Sequence, residues 1–163
     1  MSKAILEKRI RYWIIFFMIA LSISGLTAIP LVWEVTLLHD LLGPGTAFAN
    51  IWPAMSQWVL AVYTGITATA RDYPFMLYGT DWLAFAHVVI AIAFIGPLRD
   101  PLRNRWVIEF GMIACILIIP WGIIFGAIRG IPPFWSVIDF SFGIFGLIPL
   151  WLVRKYILQL AKQ

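Results

Sequence analysis

A chain of 163 residues that is 62% hydrophobic and only 12% charged, with a mean hydropathy of +0.91, is too apolar for a soluble domain, since such domains run near a quarter charged. A net charge of +4 could suggest nucleic acid, but the basic residues cluster beside long apolar runs, where they act as topology signals and meet anionic lipid. The single Cys115 lies within an apolar run, so there is no disulfide framework and no zinc-finger spacing.

Residues 1–11 carry Lys3, Lys8, Arg9 and Arg11 against Glu7 alone, and residues 12–33 follow without a charge. At about 1.5 Å per residue, that run spans a bilayer core of roughly 30 Å. The rival is a signal peptide cleaved after Ala28, but the run is too long for an h-region and Leu26 is a poor −3 residue. A retained helix is the expectation, with Ser22 and Gly25 offering a small patch to a neighbouring helix and Pro30 near its end.

Residues 34–50, punctuated by Gly43-Pro44-Gly45, read as a loop with a short helical turn. Residues 51–70 are uncharged. At about 100° per residue, Ile51, Trp52, Met55, Trp58, Val59, Val62, Tyr63 and Ile66 share one face, while Ser56, Gln57, Thr64 and Thr67 share the other, with Leu60 and Thr69 as exceptions. That asymmetry predicts an amphipathic helix at the interface, although its polar face lacks the usual charges. The arginines decide against a fifth crossing here. With four crossings and a cytoplasmic N-terminus, Arg99, Arg103 and Arg105 fall inside together with Arg154 and Lys155; a fifth would push the first three outside.

The second crossing is 82–98, flanked by Asp81 and by Pro97, Pro101 and the three arginines. The third is 107–128, with Glu109 near its start, Pro120 mid-span and Gly122-xxx-Gly126 toward its far end; the fourth is 133–153. The predicted fold is all-α: a four-transmembrane-helix bundle with an additional amphipathic helix in the first external loop. The expected location is a bacterial cytoplasmic (inner) membrane with both termini cytoplasmic.

An ionisable residue within a membrane helix is costly and should find a partner in the bundle. His87 lies six residues inward from Asp81, about 9 Å, and Asp139 four residues inward from Trp135, about 6 Å. Each shares a small-residue stripe: Thr80, Ala84, His87 and Ala91 on one helix, and Ser136, Asp139, Gly143 and Gly146 on the other. Such stripes allow close approach and are expected to face inward. Arg129 ends the third helix at what reads as the same level. His87, Asp139, Arg129 and Asp81 are therefore the expected lining of a ligand-binding pocket in the outer half of the membrane. The bland alternative is an Arg129–Asp139 staple, with His87 bonded to a backbone carbonyl. Glu109, one turn from Arg105 and near a helix N-terminus, needs no further role.

No cofactor or metal is expected. His39 and His87 are the minimum for bis-His haem, but His39 lies outside the crossings, and His39, Asp40, Asp81 and His87 have no ligand spacing. HExxH, GxSxG, P-loop, CxxC and GxGxxG motifs are absent. Tyr78-Gly79, Gly96-Pro97-Leu98 and Pro133-Phe134-Trp135, about a dozen positions with the general layout, resemble the sterol-isomerase-like (emopamil-binding) membrane proteins. The resemblance implies a lipid-like ligand; it departs from that family in having fewer acidic side chains within the helices.

Three functions follow as expectations. The foremost is a binder of a small amphipathic or lipidic molecule, with residues 51–70 as lid or lateral gate. The second is a non-catalytic accessory or assembly subunit of a larger membrane complex. The third is an intramembrane enzyme on an isoprenoid or lipid substrate, with His87 as acid/base and Asp139 orienting it. Expected partners are membrane lipids, a small hydrophobic ligand, and a membrane-protein partner or second copy; nucleic acid is not one. Four helices without an inverted repeat argue against a carrier.

Overall fold

The computed structural model describes residues 2–163 and, among them, is helical throughout with no strand. The α-helices are α1 (Lys3–Leu26), α2 (Leu31–Leu42), α3 (Ala47–Ile51), α4 (Pro53–Asp72), α5 (Tyr78–Ala93), α6 (Ile95–Arg99), α7 (Arg105–Arg129) and α8 (Pro133–Leu160), with a 3₁₀ turn at Pro74–Leu77. Four stretches are long and apolar enough to cross a bilayer: Lys3–Leu26, Pro74–Arg99, Arg105–Arg129 and Pro133–Leu160. Each overlaps one of the four apolar runs of the sequence, and α4 is not among them.

Helix ends depart from the apolar runs for identifiable reasons. α1 starts at Lys3 because the Lys, Glu and Arg residues before position 12 are good helix formers. It stops at Leu26, seven residues short of the run's end, where Pro30 disfavours a helical residue before it. Residues 34–50, expected to be mostly loop, are instead largely α2 and α3. Thr46 caps α3, its Oγ1 accepting from the Ala49 N–H at 3.3 Å. α5 ends at Ala93 because Pro97 has no N–H to offer that carbonyl. α8 continues past residue 153 to Leu160 on helix-forming polar and aliphatic residues.

The chain divides into two compact sets of residues, one comprising 22–88 and the other the preceding residues with 89–163. In the second, Leu6, Ile10, Ile14 and Phe17 form a stripe on α1 at spacings of four, four and three. They share a core with Phe94, with Val107, Ile108 and Cys115 on α7, and with Leu150, Val153, Ile157 and Leu160 on α8. Phe17 and Phe94 meet with ring centroids 4.8 Å apart.

The most extensive helix pair is α7 with α8. Gly130 reverses the chain between them in a left-handed conformation, φ +68°. The Ile131 N–H donates to the Gly126 carbonyl at 2.9 Å and the Gly130 N–H to that of Ala127 at 3.4 Å, the Schellman pattern that satisfies carbonyls at a helix end. From there the helices run antiparallel at a separation set by glycines. A Cβ on Gly122 would strike the Phe140 ring, one on Gly126 would crowd the Ser136 hydroxyl at 3.2 Å, and one on Gly143 would fall on the Cys115 carbonyl oxygen. At the far end Glu109 Oε1 receives two arginines, Arg105 Nε one turn earlier and Arg154 Nε from α8, each at 3.2 Å. The sequence shows the first of these pairs; the second, bridging 45 residues, registers the hairpin.

That end is strongly basic. Lys3, Lys8, Arg9 and Arg11 open α1, Arg99, Arg103 and Arg105 surround the α6–α7 turn, and Arg154, Lys155 and Lys162 close the chain. The common core of Leu6, Val107 and Leu160 gathers these three segments. Asn104 orders the turn, its Nδ2 donating to the Gly96 and Asp100 carbonyls at 3.2 and 2.9 Å. Asp100 Oδ1 accepts from the Arg103 N–H at 3.0 Å.

Within residues 22–88, α2 packs against α4. Val35, Met55 and Val59 are buried, and His39 stacks on Tyr63 with centroids 4.4 Å apart. The expected apolar face of α4 is thus partly turned to its neighbours. Ser56, expected on the polar face, is buried too, its Oγ without a hydrogen-bond partner. α4 ends in an exposed Arg71–Asp72 pair at 2.8 Å. The shared hydrogen bond holds the Asp72 carboxyl below its ordinary value and raises Arg71.

Candidate functional site

His87 and Asp81 lie on α5, within residues 22–88; Arg129 ends α7 and Asp139 lies on α8, both within the other set. Ala84 and Ala91 on the His87 stripe are buried, and His87 itself is half-buried. A Cβ on Gly25 would overlap that of His87 and come within 2.7 Å of its Cγ, so α1 and α5 approach closely there. This is the contact that the small patch of Ser22 and Gly25 offers to a neighbouring helix. His87 Nδ1 lies 2.8 Å from the Leu83 carbonyl oxygen. A carbonyl only accepts, so Nδ1 carries a proton, and in the neutral imidazole Nε2 is left with its lone pair. Thr80 closes its own turn, donating to the Leu77 carbonyl at 2.6 Å. Asp81 is exposed in the first turn of α5, where the helix dipole favours a carboxylate.

On the α8 stripe, Ser136 and Gly143 are buried against α7, but Asp139 is exposed. Neither Asp139 nor Arg129 forms an ion pair among the described residues. The helix register explains this. With Gly126 opposite Ser136 and Gly122 opposite Phe140, Arg129 comes level with Pro133 and Asp139 with Ile123. They are six residues apart in depth, about 9 Å along the axes. The staple is therefore not made, and the two groups do not share a level as the sequence suggests. Counting residues inward from Trp135 places Asp139 along its own helix; the level of Arg129 depends on how the helices register.

The half of the bland reading that concerns His87 is present, since its Nδ1–H serves a backbone carbonyl. His39 is 3.5 Å from Asp40 and faces Tyr63, and no group of three or more His, Cys, Asp or Glu gathers around a metal-sized site among the described residues. The ion pair most informative about assembly, Glu109–Arg154, was within reach of sequence reasoning. A carboxylate near the start of one crossing and an arginine just past the end of the next occupy the same boundary.

No family model, no curated protein and no solved structure matches the chain.

Proposed function

We propose that this chain is a non-catalytic subunit of a larger membrane complex, completed by a partner helix that receives Asp139. One observation carries this reading. Asp139 stands exposed on α8, six residues into a helix long and apolar enough to cross a bilayer, without an ion pair among the described residues. A carboxylate facing acyl chains costs about 2.5–3.5 kcal/mol at a helix centre and less at the depth of Asp139, six residues from the start of α8. A hydrogen-bond donor on a neighbouring chain removes that cost, be it a second copy or another membrane protein. The basic end then lies in the cytosol, and α4, with its uncharged amphipathic face, lies at a membrane surface.

A second reading rests on His87. Its Nδ1–H is occupied while Nε2 is not, and Gly25 fixes the ring's position. Nε2 suits a hydroxyl or other donor at the polar end of a small amphipathic or lipidic ligand, with Asp81 nearer the surface. Native mass spectrometry of the gently extracted protein separates the two. The subunit reading expects a species heavier than the 18.5 kDa chain by the mass of a protein, collapsing to the single chain in Asp139→Asn with helical content unchanged. The ligand reading expects the single chain carrying a small molecule that His87→Gln loses. A bare single chain from the wild type contradicts both.

A further inference from the structure

The end of α8 and the residues that follow it carry a groove of about 370 Å³ lined by Trp151, Arg154, Lys155, Leu158, Gln159 and Lys162. Trp151, Lys155 and Leu158 follow one another at spacings of four and three, so they form one line along α8, and Lys162 lies just past the helix end at Leu160. Three cations line this groove and no carboxylate does. Arg154 is already committed to Glu109 at 3.2 Å. Lys155 Nζ lies 5.4 Å from the centre of the Trp151 ring, and neither Lys155 nor Lys162 has an ion pair among the described residues.

The order of residues along the line is as telling as their charge. Trp151 lies where α8 leaves its apolar run, and the indole is the side chain most at home at the acyl–headgroup boundary. Lys162 is eleven residues further on, past the end of α8 and outward of Lys155 along the chain. An ammonium held over an indole face and a second one beyond it form a track from hydrocarbon to water, with Leu158 between them. Glu109 is taken up by Arg105 and Arg154, so the groove's own lining offers Lys155 and Lys162 no counter-charge. A headgroup phosphate answers all these features, since its ester carbons run back past Trp151 while its oxygens meet Lys155 and Lys162.

We propose that this groove is a binding site for the phosphate of an anionic phospholipid. It holds whether or not the chain is a subunit of a complex. The test places the protein in nanodiscs of equimolar phosphatidylglycerol and phosphatidylcholine, releases it, and counts retained lipids by native mass spectrometry. The wild type retains phosphatidylglycerol preferentially. Each neutralised lysine weakens that preference about five-fold, so Lys155→Gln with Lys162→Gln abolishes it. The control variant, Lys3→Gln with Lys8→Gln, removes equal charge from the same end and keeps most of it. Both lysines of the groove are exposed, so thermal melts of the variants match the wild type. Equal retention of the two lipids, or equal loss in both double variants, overturns the site in favour of diffuse attraction. Displacement of the lipid by millimolar inorganic phosphate overturns the lipid as its occupant.

Discussion

Gly143→Ala is expected to destabilise the protein by about 2 kcal/mol, although alanine is the better helix former by about 1 kcal/mol. The added methyl would sit on the Cys115 carbonyl oxygen and 3.4 Å from the Ile118 Cβ. A flexible side chain could turn away; a backbone carbonyl in the middle of α7 cannot. Overpacking of this kind costs about 1–3 kcal/mol and more when backbone must move, so repulsion exceeds the propensity gain. Gly65→Ala is the matched control, because a Cβ there meets nothing within 4 Å. It should leave the fold intact and gain up to about 1 kcal/mol on propensity alone. Thermal unfolding in mild detergent, followed by far-UV circular dichroism, should move the two midpoints in opposite directions. An unchanged midpoint for Gly143→Ala would mean that α7 and α8 do not approach this closely.

Gly25→Ala should act comparably, and its effect should depend on His87. The new Cβ would overlap the His87 Cβ, an atom that no rotamer change removes, and the ring above it is held by the 2.8 Å bond to Leu83. A loss of about 2 kcal/mol is expected. Exchanging the two residues' bulk, Gly25→Ala with His87→Gly, should recover much of it. A helical glycine at 87 itself costs about 1 kcal/mol, so recovery is incomplete. A coupling above about 1 kcal/mol in this double-mutant cycle marks direct contact. Additive effects would show that α1 and α5 are not in register at these positions.

Much of this architecture is legible in the residues, and the gaps have physical causes. Hydropathy finds segments that prefer lipid, so it locates four apolar runs but not helix ends. Lys3–Arg11 and Tyr156–Leu160 extend helices because their backbone propensity is good whatever their polarity. Pro30 and Gly43-Pro44-Gly45 suggest a loop, yet the twelve residues between them form α2, since breakers mark ends and say little about what lies between. The small-residue stripes correctly indicate close approach at Gly25, Ser136 and Gly143, because helical spacing alone determines which residues share a face. Asp139 escapes that rule by sitting at the stripe's edge, exposed while Ser136 and Gly143 on either side of it in the stripe are buried. Whether Arg129 can reach it depends on axial register, which Gly126, Gly122 and the Glu109–Arg154 pair fix together. No single helix carries that information.

The threading, four crossings with the basic end in the cytosol, is tested directly by one labelling experiment. Single cysteines replace Arg103 in the α6–α7 turn and Thr64 on α4, both exposed, with the buried native Cys115 changed to serine. Intact cells are treated with a membrane-impermeant maleimide. Position 64 should label at once and position 103 only after permeabilisation. Labelling of position 103 in intact cells would reverse the threading, placing Lys155 and Lys162 outside and the Asp139 end of α8 toward the cytosol.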